Sequence, residues 1–373
     1  ARFRNDITTN GASGIDVTAT TINLDGLIMT ANNAGAVINL DGNVTLTAGT
    51  AELYAVQSIT VTGTVSGEED LTVGHPTPAT PDISFNGNVG TPTPLGAITI
   101  SNGYDITFGG TVAATSITQT NGANSTTFAG DVTTTGAILI TDGYDITFSG
   151  TVEALSLAQD AGSGTTTFEE NVTTSGAAGI DITATNIAIE GLTMTAGTTA
   201  EADLELTGAI TLSTGDVELN AQDTITVDGT MTISDGAVDI EAGNTITVTG
   251  TVNSPDTQAL TATSTNNAAI EFTALIGGTT PLASLTIEGG NITLNGIGTA
   301  GTAGVTGAIS VTSAGNVVLN GISYRSGNTI TVTANGFVEL NAADYRSDDA
   351  QTWTATGGVR YLANADGTWS AGG

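Results

Sequence analysis

The chain has 373 residues, of which 37 are acidic and five are basic, so its formal net charge is −32. Such a charge repels phosphate backbones and anionic lipid, which argues against nucleic acid as a partner and against binding to a membrane surface. Cysteine is absent, which excludes disulfides and thiolate metal sites, and no apolar run approaches the about 18 residues of a membrane-spanning helix.

The positive charges are confined to the two ends of the sequence. The chain begins ARFRN, which places Arg2, Phe3 and Arg4 together, and the next basic residue is Arg325. Lysine is absent, and the other two arginines are Arg346 and Arg360. No signal peptide is visible at this start, and we expect a chain that has already been processed.

Short segments along the chain alternate β-branched and small polar residues, as in ITI at 98–100 and TITV at 245–248. A period of two predicts strands with one buried face. Asn-Gly, Asp-Gly and Gly-Gly pairs separate the segments and indicate turns. The pattern predicts an all-β protein with no helix of consequence.

Internal repeats are the most informative feature of the sequence. The segment ISNGYDITFGGTV at 100–112 returns as ITDGYDITFSGTV at 140–152, and half of that 40-residue shift also works. Residues 11–31 match 176–196, and residues 85–100 match 272–287. Phenylalanine and valine then recur every 20 residues, at Phe108, Phe128, Phe148 and Phe168, each followed four positions later by Val112, Val132, Val152 and Val172.

A unit of about 20 residues is too short to bury its own apolar face, so neighbouring units must stack. A coil in which each turn lies parallel to the last places identical side chains above one another, whereas a hairpin meander alternates strand direction. Because parallel crossovers favour one hand, we predict a right-handed parallel β-helix, or β-solenoid, with about 20 residues per coil and roughly 17 coils.

We expect this shaft to cover residues 1–340, with a larger Pro-containing corner loop at 67–81. Residues 341–373 form a distinct aromatic segment, in which an aromatic residue recurs every eight positions and NADG at 364–367 predicts a hairpin turn. This segment is either a hydrophobic cap over the last coil or an assembly element. The aromatic residues are Tyr345, Trp353, Tyr361 and Trp369.

The repeats that begin at Phe85 and Phe272, each with a Gly four or five positions on and a Pro-Leu pair before an Ile- or Leu-Thr-Ile strand, resemble those of large bacterial exoproteins. These are the filamentous-haemagglutinin-like, β-strand-repeat surface proteins, and the resemblance extends over about residues 10–340. It implies a secreted β-helical shaft used in adhesion, biofilm or surface structure. The chain is shorter than such proteins, with no evident amino-terminal secretion domain or carboxy-terminal barrel.

The residues needed for catalysis are scarce. Lyases of the β-helix class need a strong cation, and none occurs between Arg4 and Arg325. Asp105 and Asp145 lie two coils apart, at about 10 Å, which suits an inverting pair of carboxylates, but Tyr-Asp after a Gly turn is also ordinary repeated turn chemistry. His75 has no second histidine with which to build a zinc site or a triad.

Calcium is the one cofactor candidate. Carboxylates at bends could supply its oxygen ligands, and solvated acidic corners are the alternative. Neither the EF-hand loop nor the glycine-rich calcium repeat is present. The candidate ligands are Asp25, Asp41, Asp228, Asp235 and Asp239.

These observations favour a non-enzymatic, extracellular or bacterial cell-surface structural protein that assembles head to tail with itself into a filament or sheath. The predicted assembly residues are the terminal arginines, which would pair with a neighbour's carboxylates, and the terminal aromatic residues. An adhesin shaft that binds a glycan through corner loops is the alternative, and a polysaccharide-degrading enzyme is a third hypothesis. The assembly residues are Arg2, Phe3, Arg4, Tyr345, Arg346, Trp353, Arg360, Tyr361 and Trp369.

Overall fold

A computed structural model describes residues 1–76, 79–361 and 368–371, with the backbone alone given for 361 and 368–371. The described residues contain no helix, and so none that could span a membrane. Two compact units are present: the first comprises Ala1–Gly176 and Asp181–Thr185, and the second Ala177–Ile180 and Asn186–Gly373. Together they contain about 17 turns of a parallel β-solenoid, with about 21 residues per turn.

The first unit contains 21 strands, and the next strand, β22 (Ile180–Glu190), has residues in both units. The strands of the first unit are β1 (Arg2–Phe3), β2 (Ile7–Thr9), β3 (Ile15–Leu24), β4 (Ile28–Ala31), β5 (Val37–Leu46), β6 (Ala51–Ala55), β7 (Ser58–Val61), β8 (Val65–Ser66), β9 (Leu71–Gly74), β10 (Asp82–Phe85), β11 (Leu95–Ile100), β12 (Gly103–Phe108), β13 (Val112–Gln119), β14 (Gly122–Phe128), β15 (Val132–Thr134), β16 (Ala137–Ile140), β17 (Asp145–Phe148), β18 (Val152–Ala154), β19 (Ser156–Gln159), β20 (Thr165–Phe168) and β21 (Val172–Thr174).

The second unit contains the remaining strands that the structure describes. They are β23 (Thr193–Ala196), β24 (Leu204–Ser213), β25 (Val217–Ala221), β26 (Ile225–Asp228), β27 (Met231–Ile233), β28 (Val238–Ala242), β29 (Ile246–Val248), β30 (Val252–Asn253), β31 (Leu260–Ser264), β32 (Ile270–Phe272), β33 (Leu285–Gly289), β34 (Ile292–Leu294), β35 (Ile309–Ser313), β36 (Val317–Leu319), β37 (Ser323–Ser326), β38 (Ile330–Ala334), β39 (Val338–Leu340), β40 (Asp344–Ser347), β41 (Gln351–Ala355), β42 (Val359–Tyr361) and β43 (Thr368–Ala371).

Each turn of the first unit contributes to three parallel sheets. The first sheet includes β7, β10, β12, β14, β17 and β20, in that order. The second includes β13, β15, β18 and β21, and the third runs from β2 through β4, β6, β9, β11, β13 and β16 to β19. The strand β13 bends from the second sheet into the third, which closes the turn around a shared interior.

Identical side chains stack inside the first unit, as the 20-residue period predicts. Five phenylalanine rings lie parallel, with centroids 4.9 to 5.4 Å apart, and each is at most 1% exposed. Neighbouring coils lie about 4.8 Å apart, so the rings sit directly above one another. The stack contains Phe85, Phe108, Phe128, Phe148 and Phe168.

Asp and Asn side chains join successive turns at the bends. Asp131 Oδ1 accepts hydrogen bonds from the backbone N–H of Thr151 at 3.0 Å and from its hydroxyl at 2.9 Å. Asp203 makes the same two bonds to Thr224, at 3.0 and 2.6 Å. Each bond satisfies a backbone donor that a bend would otherwise leave to water. Many of the carboxylates therefore have a structural role in the coil.

Glycine is required where a bend brings two backbones into contact. Gly90 has a φ of +77°, and a Cβ there would overlap the carbonyl of Ala113 on the next turn. Any other residue would be strained in this conformation and would also push the two turns apart.

The second unit has the same three-sheet plan. One sheet follows β23, β25, β28, β31, β33, β35, β38 and β41, and another follows β26, β29, β32, β34, β36, β39 and β42. The third ends in β37, β40 and β43. Its inward ladder is aliphatic at first and becomes aromatic, in the order Ile210, Met231, Val252, Ile276, Ile297, Tyr324 and Tyr345.

The all-β parallel solenoid is confirmed, and two of its predicted boundaries differ. The segment 67–81 is not loop throughout, because β9 lies within it and pairs with β6 and β11. The coil also continues past residue 340, since β40, β41 and β42 pair with the preceding turn. The right-handed sense is not determined by the strand pairing and stays a prediction.

Candidate functional site

The first coil carries the amino-terminal arginines, and both lie against one carboxylate. Arg2 Nη2 lies 2.7 Å from Asp25 Oδ2, and Arg4 Nε lies 3.4 Å from the same oxygen. Between them Phe3, in β1, is half-buried and pairs with Leu24. The arginines therefore fasten β1 to the next turn.

The environment of Asp25 favours its ionised form. The hydroxyl of Thr47 donates a hydrogen bond to Asp25 Oδ1, and this bond, followed by those from Arg2, lowers the pKa of the Asp25 carboxyl. Burial opposes this effect and does not reverse it. Three turns of the coil thus meet at one carboxylate.

A second carboxylate plays the same part near the carboxy terminus. Asp344, which is 9% exposed, lies with Oδ2 2.7 Å from Arg325 Nη2 and with Oδ1 2.8 Å from Arg346 Nε. Arg325 and Arg346 occupy equivalent positions on β37 and β40. The negative charge between them offsets the repulsion of two guanidinium groups one turn apart.

Tyr345, which was predicted to anchor a neighbouring subunit, lies inside the coil instead. It is 3% exposed, stacks on Tyr324 with ring centroids 5.4 Å apart, and meets Trp353 edge-on at 5.5 Å. Burial, with a smaller contribution from Tyr345, raises the pKa of Tyr324 well above its ordinary value. The inward ladder of the third sheet places Tyr345 here, so its ring is not available to another chain.

The other predicted aromatic residues are placed separately. Trp353 lies in β41, in a different sheet from Tyr345, so the eight-residue spacing does not bring them to one face. Tyr361 and Trp369 lie in β42 and β43, and their side chains, like the predicted hairpin turn at 364–367, fall outside the described residues. Arg360 stacks over the Phe337 ring, with Cζ 4.2 Å from its centroid.

The terminal coils present open strand edges. Among the pairings described, β1 and β2 join only β3 and β4. At the other terminus, β41, β42 and β43 join only β38, β39 and β40. Their other edges leave backbone N–H and C=O groups free to pair with another strand.

Sequence reasoning missed Asp25, Asp344, Tyr324 and Arg325 as parts of these ends. A signal for the last three exists, because SYRS at 323–326 and DYRS at 344–347 repeat at 21 residues. That spacing places like residues one turn apart. Nothing in the sequence around Asp25 distinguishes it from the other Asp residues at turns.

The hypothetical catalytic pair is built into the bends. Asp105 and Asp145 both lie beside Ser125 in register, hence two turns apart as predicted. Asp105 Oδ1 accepts bonds from Asn124 Nδ2 at 2.7 Å and from the Ser125 hydroxyl at 2.6 Å, while Asp145 Oδ1 accepts the backbone N–H of Thr165 at 2.8 Å. These bonds are the same turn-to-turn links that other Asp residues make.

The candidate calcium ligands are dispersed. Asp41 and Asp228 accept hydrogen bonds from threonine hydroxyls one turn on, at 2.8 and 2.5 Å, and Asp235 accepts the N–H of Gly236 at 2.9 Å. Asp239 lines an open depression of about 520 Å³ with Glu218. Within residues 1–76 and 79–360, no group of three or more His, Asp or Glu side chains could hold a metal ion.

The parallel turns and their stacked interior define the chain as a β-solenoid. Comparison with protein-family models, with curated proteins and with solved structures gave no match.

Proposed function

We propose that this chain is a non-enzymatic structural subunit of an extracellular filament or sheath at a bacterial cell surface, in which copies join head to tail. The observation that carries the proposal is the pairing of the terminal strands along one edge only, as described above for β1, β2 and β41 to β43. The resemblance to filamentous-haemagglutinin-like surface proteins supports the same class of protein.

The two kinds of open edge differ, which determines how copies can join. In a parallel ladder every strand offers one edge to the turn before it and the other to the turn after it. The edge of β41 therefore continues into the edge of a first coil and not into a second β41. Such a heterologous contact does not close on itself, so it produces an open filament.

Charge restricts where copies can touch. No Lys or Arg lies between Arg4 and Arg325, and the net charge is −32, so the flanks of two copies repel each other. The arginines lie on the first coil and on the last turns, where they neutralise Asp25 and Asp344. Their role in the proposal is to hold the terminal strands in place for edge pairing.

The test uses proline at residues whose backbone points away from the coil. Thr9 O accepts the N–H of Asn32, so the backbone groups of Thr8 face outward from β2, since neighbouring residues alternate. Thr356 N–H donates to Ala334 O, so those of Ala355 face outward from β41. Proline there removes an outward donor and no internal hydrogen bond.

Electron microscopy and sedimentation of the 373-residue chain at micromolar concentration should show filaments, and Thr8→Pro and Ala355→Pro should each remain monomeric. Ala355→Ser, which keeps the N–H, is the matched control and should polymerise. A mixture of the two proline variants should stop at dimers, because each retains one intact edge. Monodisperse wild-type chains, or filaments from either proline variant, would overturn the proposal.

Removal of residues 341–373 is a weaker test than the sequence implied. Because β40, β41 and β42 continue the three sheets, the truncation would expose the parallel edges of β37, β38 and β39. These edges offer the same ladder for pairing, so loss of polymerisation is not the necessary result.

A further inference from the structure

Two tyrosine rings stand exposed on the first unit. Tyr104 is 45% exposed and Tyr144 is 47% exposed. No other aromatic side chain in residues 1–76 and 79–360 is classed as exposed. Their positions are equivalent in the 40-residue repeat, and the coil interior does not require a ring at either one.

The fold places the two rings in one line with a gap between them. Gly103 pairs with Gly122, and Asp105 and Asp145 both pair with Ser125, so Tyr104 and Tyr144 lie two turns apart. Two turns correspond to about 10 Å. The intervening turn presents only the exposed methyl group of Ala123, because the Asn124 amide is turned toward Asp105.

The surroundings of the rings are negative. Asp142 and Asp145 are exposed beside Tyr144, and Asp105 is half-exposed beside Tyr104. The ion pairs found among the described residues involve only Asp25 and Asp344, so these carboxylates have no cation to neutralise them. A cationic ligand is attracted to this surface and an anionic one is repelled.

We propose that Tyr104 and Tyr144 form a binding strip for an extended β-linked glycan that carries free amino groups. The C–H face of a pyranose is flat and apolar and packs on a tyrosine ring, which has an apolar body and a polar tip. Two turns of the coil match the length of two sugars in an extended chain, so alternate sugars meet the two rings. The ammonium groups of the glycan then face Asp105, Asp142 and Asp145.

This strip lies on the flank of the coil and does not depend on head-to-tail assembly. It also differs from the corner-loop site predicted for an adhesin, because both rings stand beside strands of the first sheet, at β12 and β17. Neither tyrosine is needed to fold the chain, so both can be replaced.

The probe is a hexamer of β-1,4-linked glucosamine, titrated by calorimetry at low salt into the wild-type chain and its variants. Tyr104→Ala and Tyr144→Ala should each weaken binding about tenfold, as loss of an aromatic anchor does. Replacement of both tyrosines by Phe should leave the affinity within about twofold, since the ring is kept. Leu155→Ala, at an equally exposed apolar residue of the same unit (45%), is the matched control and should bind as the wild type does.

Two further ligands test the chemistry of the occupant. The N-acetylated hexamer has the same backbone without the charge and should bind about tenfold weaker. Equal binding of both hexamers would overturn the amino-group requirement, and unchanged binding by the double Ala variant would overturn the strip. An oligolysine that binds as tightly and as tyrosine-dependently as the glucosamine hexamer would replace the glycan by a cationic peptide. Self-association that the double Ala variant abolishes would replace it by a second copy of the chain.

Discussion

The phenylalanine stack offers the most direct test of the stacked interior. Phe128 lies at its centre, 1% exposed, with the ring of Phe108 at 5.0 Å and that of Phe148 at 4.9 Å. Phe128→Ala leaves a cavity between two rings that the flanking turns hold apart. A buried Phe→Ala change costs about 3–5 kcal/mol, and we expect the upper half of that range because ring partners are lost on both sides.

A matched comparison isolates the stacking contribution. Phe85 is equally buried but has one ring neighbour in the stack, Phe108 at 5.1 Å. Each aromatic pair contributes about 0.5–1.5 kcal/mol beyond the burial of area. Phe85→Ala should therefore cost less than Phe128→Ala by about that amount, and Leu155→Ala, at 45% exposure, should cost under about 0.5 kcal/mol.

Native-state hydrogen exchange is the suitable assay, because a solenoid can open locally and each turn contacts chiefly its neighbours. The loss of protection in Phe128→Ala should be largest in β12, β14 and β17 and should decline away from them. A cost no greater than that of Leu155→Ala, or a uniform loss over all the turns of the unit, would refute the stacked interior as the source of stability.

Three other outcomes follow from the charged groups. Asp25 has a pKa lowered by its threonine and arginine partners, so its stabilisation is complete above the ordinary value of 3.8 and is lost as pH falls through the lower folded value; exchange in the first coil should rise below pH 3.8, and constant exchange would contradict this. Burial, followed by the charge of Asp160, raises the pKa of Asp181, so its favourable effect is complete at low pH and is lost as pH rises through the folded value. Asp160→Asn should lower the Asp181 pKa in a carboxyl NMR titration, and an unmoved pKa would exclude the charge effect. Asp344→Asn should cost about 1–3 kcal/mol, whereas the exposed Asp348→Asn should cost little, and equal costs in denaturant unfolding would remove the arginine pairs as its cause.

The period of the sequence carried most of the fold, for a physical reason. Phe108, Phe128, Phe148 and Phe168 stand at a constant spacing, and a constant spacing of large apolar residues fits stacking of parallel turns. The site was predicted less well, because the aromatic residues near the carboxy terminus look alike in sequence. Tyr345 continues an interior ladder that is aliphatic up to Ile297, and a change of residue type within one ladder conceals the register.

Charge was misleading in a similar way. Arginines confined to the ends of a very acidic chain suggest contacts with another molecule, yet Arg2 and Arg346 pair within their own chain, with Asp25 and Asp344. Composition reports which charges exist, whereas the coil register decides which carboxylate lies one turn away. The 21-residue echo of SYRS in DYRS held that information for one end only.

The register of the turns also bears on how such a chain changes over generations. Because Phe128 and Phe148 are interchangeable members of one ladder, a gene that lost the codons for one complete revolution would join two surfaces that already match. Duplication of the same stretch would be equally neutral for the interior. The number of turns is therefore a trait that heredity can adjust in whole steps, without any new packing having to be invented.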